Sequence, residues 1–178
     1  MTDIIKTRRS VRKFTDKKIP REELCKALDS ARYAPSWRNG QPVRYLVIDS
    51  GEGLASLSEI YPEGEKNSKT IRDCAALVAV ITLAGISGQG FSGEDITGRG
   101  THWQSFDAGI AAQTLCLSLW EGGIASVIIG VFDENRVKEV LKVPAGHSIS
   151  ALVAAGYAQG ENPAPPRKSL DEIVSFFR

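Results

Sequence analysis

At 178 residues the chain is about one domain long, and its 42% apolar and 24% charged residues are ordinary for a globular protein. Its 22 Lys and Arg against 21 Asp and Glu leave a formal net charge of +1, which excludes the overall basic excess that holds a protein along nucleic acid or on an anionic membrane. No apolar run approaches the ~20 residues that span a bilayer, and Met1-Thr2-Asp3-Ile4-Ile5-Lys6 lacks a signal peptide's apolar segment, so a cytoplasmic location is expected.

In chain order, Ile4 and Ile5 to about Arg9 predict a short helix behind a Thr2 or Asp3 cap, and Val11 to Phe14 predict an extended segment. Between them runs Thr7-Arg8-Arg9-Ser10-Val11-Arg12-Lys13-Phe14, a cluster of four cations in a nearly neutral chain. Like charges this close repel, so the run is either a solvated face or the seat of a small anion. Pro20 opens a second helix, in which Leu24, Ala27, Leu28 and Ala31 form one apolar stripe until Pro35 stops it. Ala34-Pro35-Ser36-Trp37-Arg38-Asn39-Gly40-Gln41-Pro42 then sets Ser, Asn and Gln between two prolines, a composition of ligand-binding loops and of self-satisfied turns alike.

Val43 to Ile48 reads as a strand, Gly53 to Ile60 as a short helix closed by Tyr61-Pro62, and Ala75 to Leu83 as an interior strand. Gly85 to Gly100 is a glycine-rich loop. Within it Gly88-Gln89-Gly90-Phe91-Ser92-Gly93 matches G-x-G-x-x-G, but two further glycines follow where a dinucleotide fingerprint needs a helix, and no acidic residue ends a second strand about 20 residues on, so the match is rejected. Trp103 to Trp120 predicts a helix apolar nearly all round, suited to the middle of a protein or of a dimer. Gly122-Gly123 ends it, Ile124 to Phe132 follows as a buried strand, Asp133 caps a helix through Leu141, and Ile149 to Ala158 makes a fourth strand. The tail from Gly160 is a proline-stiffened arm ending in the cation pair Arg167-Lys168. Ser169 to Glu172 has capping-box spacing for a last helix to Phe177, although Ile173 to Phe177 serves equally as a strand. Cys25, Cys74 and Cys116 are far apart, with only His102 and His147 to complete a metal site, so they read as buried, reduced thiols and no metal is expected. The sum is one α+β domain over residues 1–178, with a sheet of four or five strands and helices on it.

Arg8 to Phe14, the Ala34-Pro35-Ser36 loop running to Gln41-Pro42, the Asp107 to Gln113 stretch of the long helix, Ile128-Ile129-Gly130 and the arm before Arg167-Lys168 together resemble the nitroreductase family of FMN flavoproteins, in that family's order and along essentially the whole chain. The resemblance implies a homodimer with a mainly antiparallel central sheet flanked by helices and FMN at the interface. It also implies hydride drawn from NADH or NADPH and passed to a small electrophilic acceptor such as a nitroaromatic or quinone. The anion among the arginines would be the FMN phosphate, met by Arg8, Arg9 and Ser10 and closed in by Arg167 and Lys168. Arg12 would face the N1 and O2 side of the flavin and tune its potential, while Ile128, Ile129 and Gly130 would bring backbone to O4 and N5. Pro35, Ser36, Trp37, Asn39 and Gln41 would reach the flavin from the other subunit, and Asn67 from the same chain; Thr70 stands where some members have a lysine. The short 85–100 loop occupies the place of extra helices in larger members, so the shape of the acceptor pocket does not transfer. The flavin would carry the hydride, and no side chain is expected to act covalently. Two rivals stand beside this reading: a flavin-binding sensor without turnover, and a nucleic-acid module using the Arg8 to Lys13 patch, which the balanced charge disfavours.

Overall fold

The computed structural model describes residues 2–60 and 65–177. Among the described residues six α-helices precede, separate and cover four strands: α1 Thr2–Thr7, α2 Arg21–Ala31, β1 Val43–Ile48, α3 Gly51–Ser58, α4 Glu65–Asp73, β2 Ala76–Leu83, α5 His102–Glu121, β3 Ala125–Ile129, α6 Glu134–Leu141 and β4 His147–Gly156, with a single 3-10 turn at Trp37–Asn39. The strands form one antiparallel sheet in the order β1-β2-β4-β3, which leaves β1 and β3 at its edges.

Side chains of a strand point alternately to opposite faces, and both faces of this sheet are covered. On one face Leu77 and Ala79 of β2 join Val127, Ile129, Leu152, Leu54, Leu57, Ile71 and Val137, so α3, α4 and α6 pack there. On the other, Val78 and Val80 meet Leu24, Ala27, Ala31, Ala108, Ala112, Leu115 and Leu119 from α2 and α5. Double coverage explains why β2 is apolar without alternation, and each fully buried leucine contributes about 1.5–3 kcal/mol relative to exposure. The expected stripe of α2 lies on that second layer, and Asp133 caps α6 by accepting a hydrogen bond from the Arg136 amide.

Several expectations need correcting. α3 begins two residues earlier than predicted, because the Ser50 hydroxyl caps it at Gly53; the proposed stop at Tyr61-Pro62 lies outside the described residues. α4 was not anticipated, since only Thr70 and Ile71 among its central residues are buried and no apolar stripe marks it. β3 stops at Ile129, and β4 starts at His147 because pairing with Leu83 extends it past a bulge near Val80. Cys25 is exposed on α2, unlike the buried Cys74 and Cys116. The tail after Lys168 is neither helix nor strand: Ser169 and Glu172 do form the capping contact, through the Glu172 carboxylate at 2.8 Å from the Ser169 amide, but only one turn follows. Among the described residues no helix is long and apolar enough to cross a membrane.

Candidate functional site

The basic run is seated by the sheet. Ser10 bridges to Ser126 on β3, the Val11 amide donates to the Ser126 carbonyl at 3.0 Å, and Thr15 donates to Tyr157 at 2.9 Å beyond β4. Val11 and Phe14 enter the core, which leaves Arg12 and Lys13 facing outward. Phe14 fits because Gly156 has no side chain; a Cβ there would stand 2.7 Å from the Phe14 ring. Arg9 Nη1 donates to the carbonyls of Lys6 and Arg8, tying off the end of α1. Arg8 differs: its Nε is buried and has no partner among the described residues. Its charge acts on Cys116, whose thiol burial pushes up while the neighbouring Ser126 side chain and the Arg8 charge pull it down. The Thr70 hydroxyl lies 2.8 Å from the Lys66 carbonyl and 3.3 Å from the Arg12 carbonyl and shares its proton between them, which links α4 to the backbone of Arg12.

At the end of β3, Ile128 is exposed, Ile129 is buried in the core and offers only its backbone, and Gly130 looks onto open space, with no atom within 4 Å of where a Cβ would stand. Gly130 follows the end of β3, four positions after Ser126, which is about 13 Å of extended chain. Asn67 lies half-buried on α4, the helix that holds Arg12 in place through Thr70.

The Pro35 to Gln41 loop is built quite differently. Arg38, Asn39 and Gln41 have φ of 48°, 55° and 46°, three of the four non-glycine residues with positive φ among the described residues. Each such conformation costs on the order of 1–3 kcal/mol, least for Asn, and strain of this kind gathers at functional sites. What holds it is a set of hydrogen bonds: Ser36 Oγ accepts from the Gln41 amide at 2.9 Å, and Arg44 Nη1 donates to the Gln41 carbonyl at 2.8 Å. Below lies Asp107 of α5, 3% exposed, whose carboxylate accepts from the Trp37 amide at 3.0 and 3.2 Å and from Ser87 Oγ at 2.7 Å. Pro35, Ser36, Gln41, Asp107 and Tyr45 line a cavity of about 350 Å³. Burial of the Tyr45 hydroxyl, with the Cys116 charge second, pushes its pKa up to about 12.

The expected site residues thus fall into two groups. Arg8, Ser10 and Arg12 share the β3 side with Ile128 to Gly130, and none of these lines the cavity beside Ser36. Arg167 and Lys168 sit on an exposed arm, and no hydrogen bond or ion pair among the described residues ties either to the body. Asp107, Ser87 and Thr70 were not among the expected site residues. Beyond the rejected G-x-G-x-x-G stretch no helix opens until α5, so the rejection stands.

A family model described as "Nitroreductase family" matches residues 5–157. The chain belongs to the nitroreductase family. Among its relatives, a Methanothermobacter thermautotrophicus protein, provisionally named as an NADH dehydrogenase/NAD(P)H nitroreductase, is 30% identical over 90% of this chain and 78% of its own length. An FMN-dependent nitroreductase from Clostridium difficile R20291 superposes with a TM-score of 0.80 at 26% identity, covering 99% of this chain and 98% of that one. A structure from Exiguobacterium sibiricum 255-15, solved in complex with FMN, gives 0.87 at 23% identity over 98% and 96% of the two chains and shares the fold. The nitroreductase fold accounts for the four-stranded antiparallel sheet between helices.

Proposed function

We propose that this protein is an FMN-dependent oxidoreductase, working as a homodimer, that passes hydride from NADH or NADPH to a small electrophilic acceptor such as a nitroaromatic or quinone. The observation that carries the reading is the buried, unpartnered Nε of Arg8, because a buried guanidinium donor left unmade is costly and a phosphate oxygen satisfies it. Open space over Gly130, which lies just past β3 and about 13 Å of extended chain from Ser126, suits an elongated ligand with an anionic end and a planar end. The relatives' names agree, in that one carries NAD(P)H nitroreductase and one structure was solved with FMN.

When bound, FMN supplies the two-electron hydride chemistry. Arg8 and Ser10 hold the phosphate, Arg9 lends its remaining nitrogens, and Arg167 with Lys168 closes over it. Arg12 would present a cation to the N1 and O2 side, and the Gly130 backbone, with open space where a Cβ would stand, would be free to meet the ring edge. Asn67 bonds the ring from the same chain. Pro35, Ser36, Trp37, Asn39 and Gln41 reach over from the second subunit, which accounts for their separation from Arg8 in one chain. Three further features support a dimer: Phe106 on the long helix is 58% exposed, β1 is a free edge, and Leu170, Ile173, Phe176 and Phe177 of the tail are bare.

The test is a visible spectrum of the purified protein. Yellow bands that bleach on adding NADH or NADPH and return with a quinone support turnover. Bands that never bleach leave a flavin-binding sensor, and a colourless protein that refuses FMN defeats the reading. Light scattering giving a monomer that keeps FMN defeats the dimer alone.

A further inference from the structure

Asp107 is a buried carboxylate with no cation within ion-pair distance among the described residues. Burying such a charge is expensive unless donors surround it, and here the donors come from two different loops: the Trp37 amide and Ser87 Oγ. Those loops are joined elsewhere as well. Trp37 Nε1 donates to the Gln89 carbonyl at 3.0 Å, and Ile86 packs so closely on Gly40 that a Cβ there would lie 2.6 Å from it. The Trp37 ring also lies 5.0 Å from that of Trp103 on α5, tilted by 54°.

We propose that Asp107 is a positioning residue, whose carboxylate locks the strained Ser36–Gln41 loop and the Ser87–Gln89 end of the glycine loop into one unit and thereby shapes the face where the acceptor binds. The sheet and its packing do not require it: the neighbours of Asp107 on α5, Ala108 and Ala111, pack the core without polar help, and beside the carboxylate the two loops are joined by the Trp37 Nε1 bond to the Gln89 carbonyl and by the Ile86 contact on Gly40. The loop conformation draws on it: Ser36 Oγ and Arg44 tie the Gln41 end, and the carboxylate holds the Trp37 amide at the other end, just before the positive φ angles of Arg38 and Asn39. An asparagine of the same shape keeps both contacts when its carbonyl oxygen takes the Oδ2 place, since that oxygen alone accepts from the Trp37 amide at 3.0 Å and from Ser87 Oγ at 2.7 Å.

The inference rests on the proposed function only for its effect on turnover, so its first readouts use flavin-free protein. Two indoles this close couple their transitions and give an exciton couplet in circular dichroism, for which Trp37→Phe serves as the blank. In Asp107→Ala the couplet should collapse, and amide exchange across residues 36–41 and 85–90 should quicken about tenfold or more. Asp107→Asn should keep both. Ser87→Ala, which spares the Trp37 tie, should quicken exchange in 85–90 while the couplet persists, and it serves if Asp107→Ala fails to fold. With 1,4-benzoquinone as acceptor, Asp107→Ala should raise KM about tenfold and change kcat less than about threefold. An unchanged couplet and exchange in Asp107→Ala, or an Asn variant as damaged as the Ala variant, overturns the proposal. Protein that shows these effects yet binds no FMN defeats the proposed function and leaves the tie standing.

Discussion

Residues 10–15 lie along the sheet with backbone amides bonded to Ser126 and Tyr157 and with Val11 and Phe14 in the core. Residues 36–41 make no strand pairing, hold three positive φ angles and depend on Ser36 Oγ, Arg44 and Asp107. The first segment is fixed by backbone and by two apolar anchors, so its polar side chains are free to serve a ligand. In the second, the polar groups that face the cavity also maintain the conformation. Substitution in the first region should therefore separate binding from folding, and substitution in the second should not.

The largest effect falls on the first region. Arg8→Ala combined with Arg167→Ala removes two charge-assisted contacts of about 1.5–3 kcal/mol each, so FMN affinity should drop roughly 10²- to 10⁴-fold while riboflavin binding and the melting point of the flavin-free protein barely move. Fluorescence titration reads both ligands; equal loss of the two would assign these arginines a different task. Next, Phe14→Ala should cost about 3–5 kcal/mol in urea unfolding, and Gly156→Ala about 1–3 kcal/mol, because each attacks the contact that seats the segment. If either proves neutral, the backbone pairing alone holds residues 10–15.

Arg12→Gln should lower the midpoint potential of bound FMN by about 20–40 mV, since a cation near N1 and O2 favours the reduced form. Redox titration that returns an unchanged potential with weaker binding would move Arg12 to the phosphate. The smallest effect tests the strain: Gln41→Gly should leave stability unchanged or raise it by up to ~1 kcal/mol, relief at φ 46° being partly offset by the freer unfolded chain. A loss above ~1 kcal/mol in thermal unfolding would show that the Gln41 side chain, not strain, governs the loop.

The strands and the apolar helices were legible because burial imposes a period that composition displays: Val43 to Ile48 emerged with its true limits, and α2 with its stripe. What escaped lacks such a period. α4 presents Lys66, Lys69 and Arg72 with only Thr70 and Ile71 inward, and no pattern of apolar residues announces it. The site was legible as residue types, Arg and Ser in one stretch and Ser, Asn and Gln in another. Asp107 was not, because the Trp37 amide lies 70 residues away and Ser87 lies 20, and a lone carboxylate in an apolar helix signals nothing locally. Nor could the sequence reveal that Arg9 turns back onto the carbonyls of Lys6 and Arg8.

The seat of the basic segment has a consequence for biosynthesis. Phe14 bridges to Ala158, Gln159 donates to the Lys13 carbonyl, and β2 finds its inner neighbour in β4, so residues 10–15 wait for a segment more than a hundred positions further on. Closing so long a loop is slow more than it is costly, and a ribosome-bound chain that still lacks residues 147–159 cannot complete the sheet. Any ligand held by Arg8 and Arg12 is therefore captured only once residues 147–159 have emerged, and a stalled chain truncated before His147 should retain none.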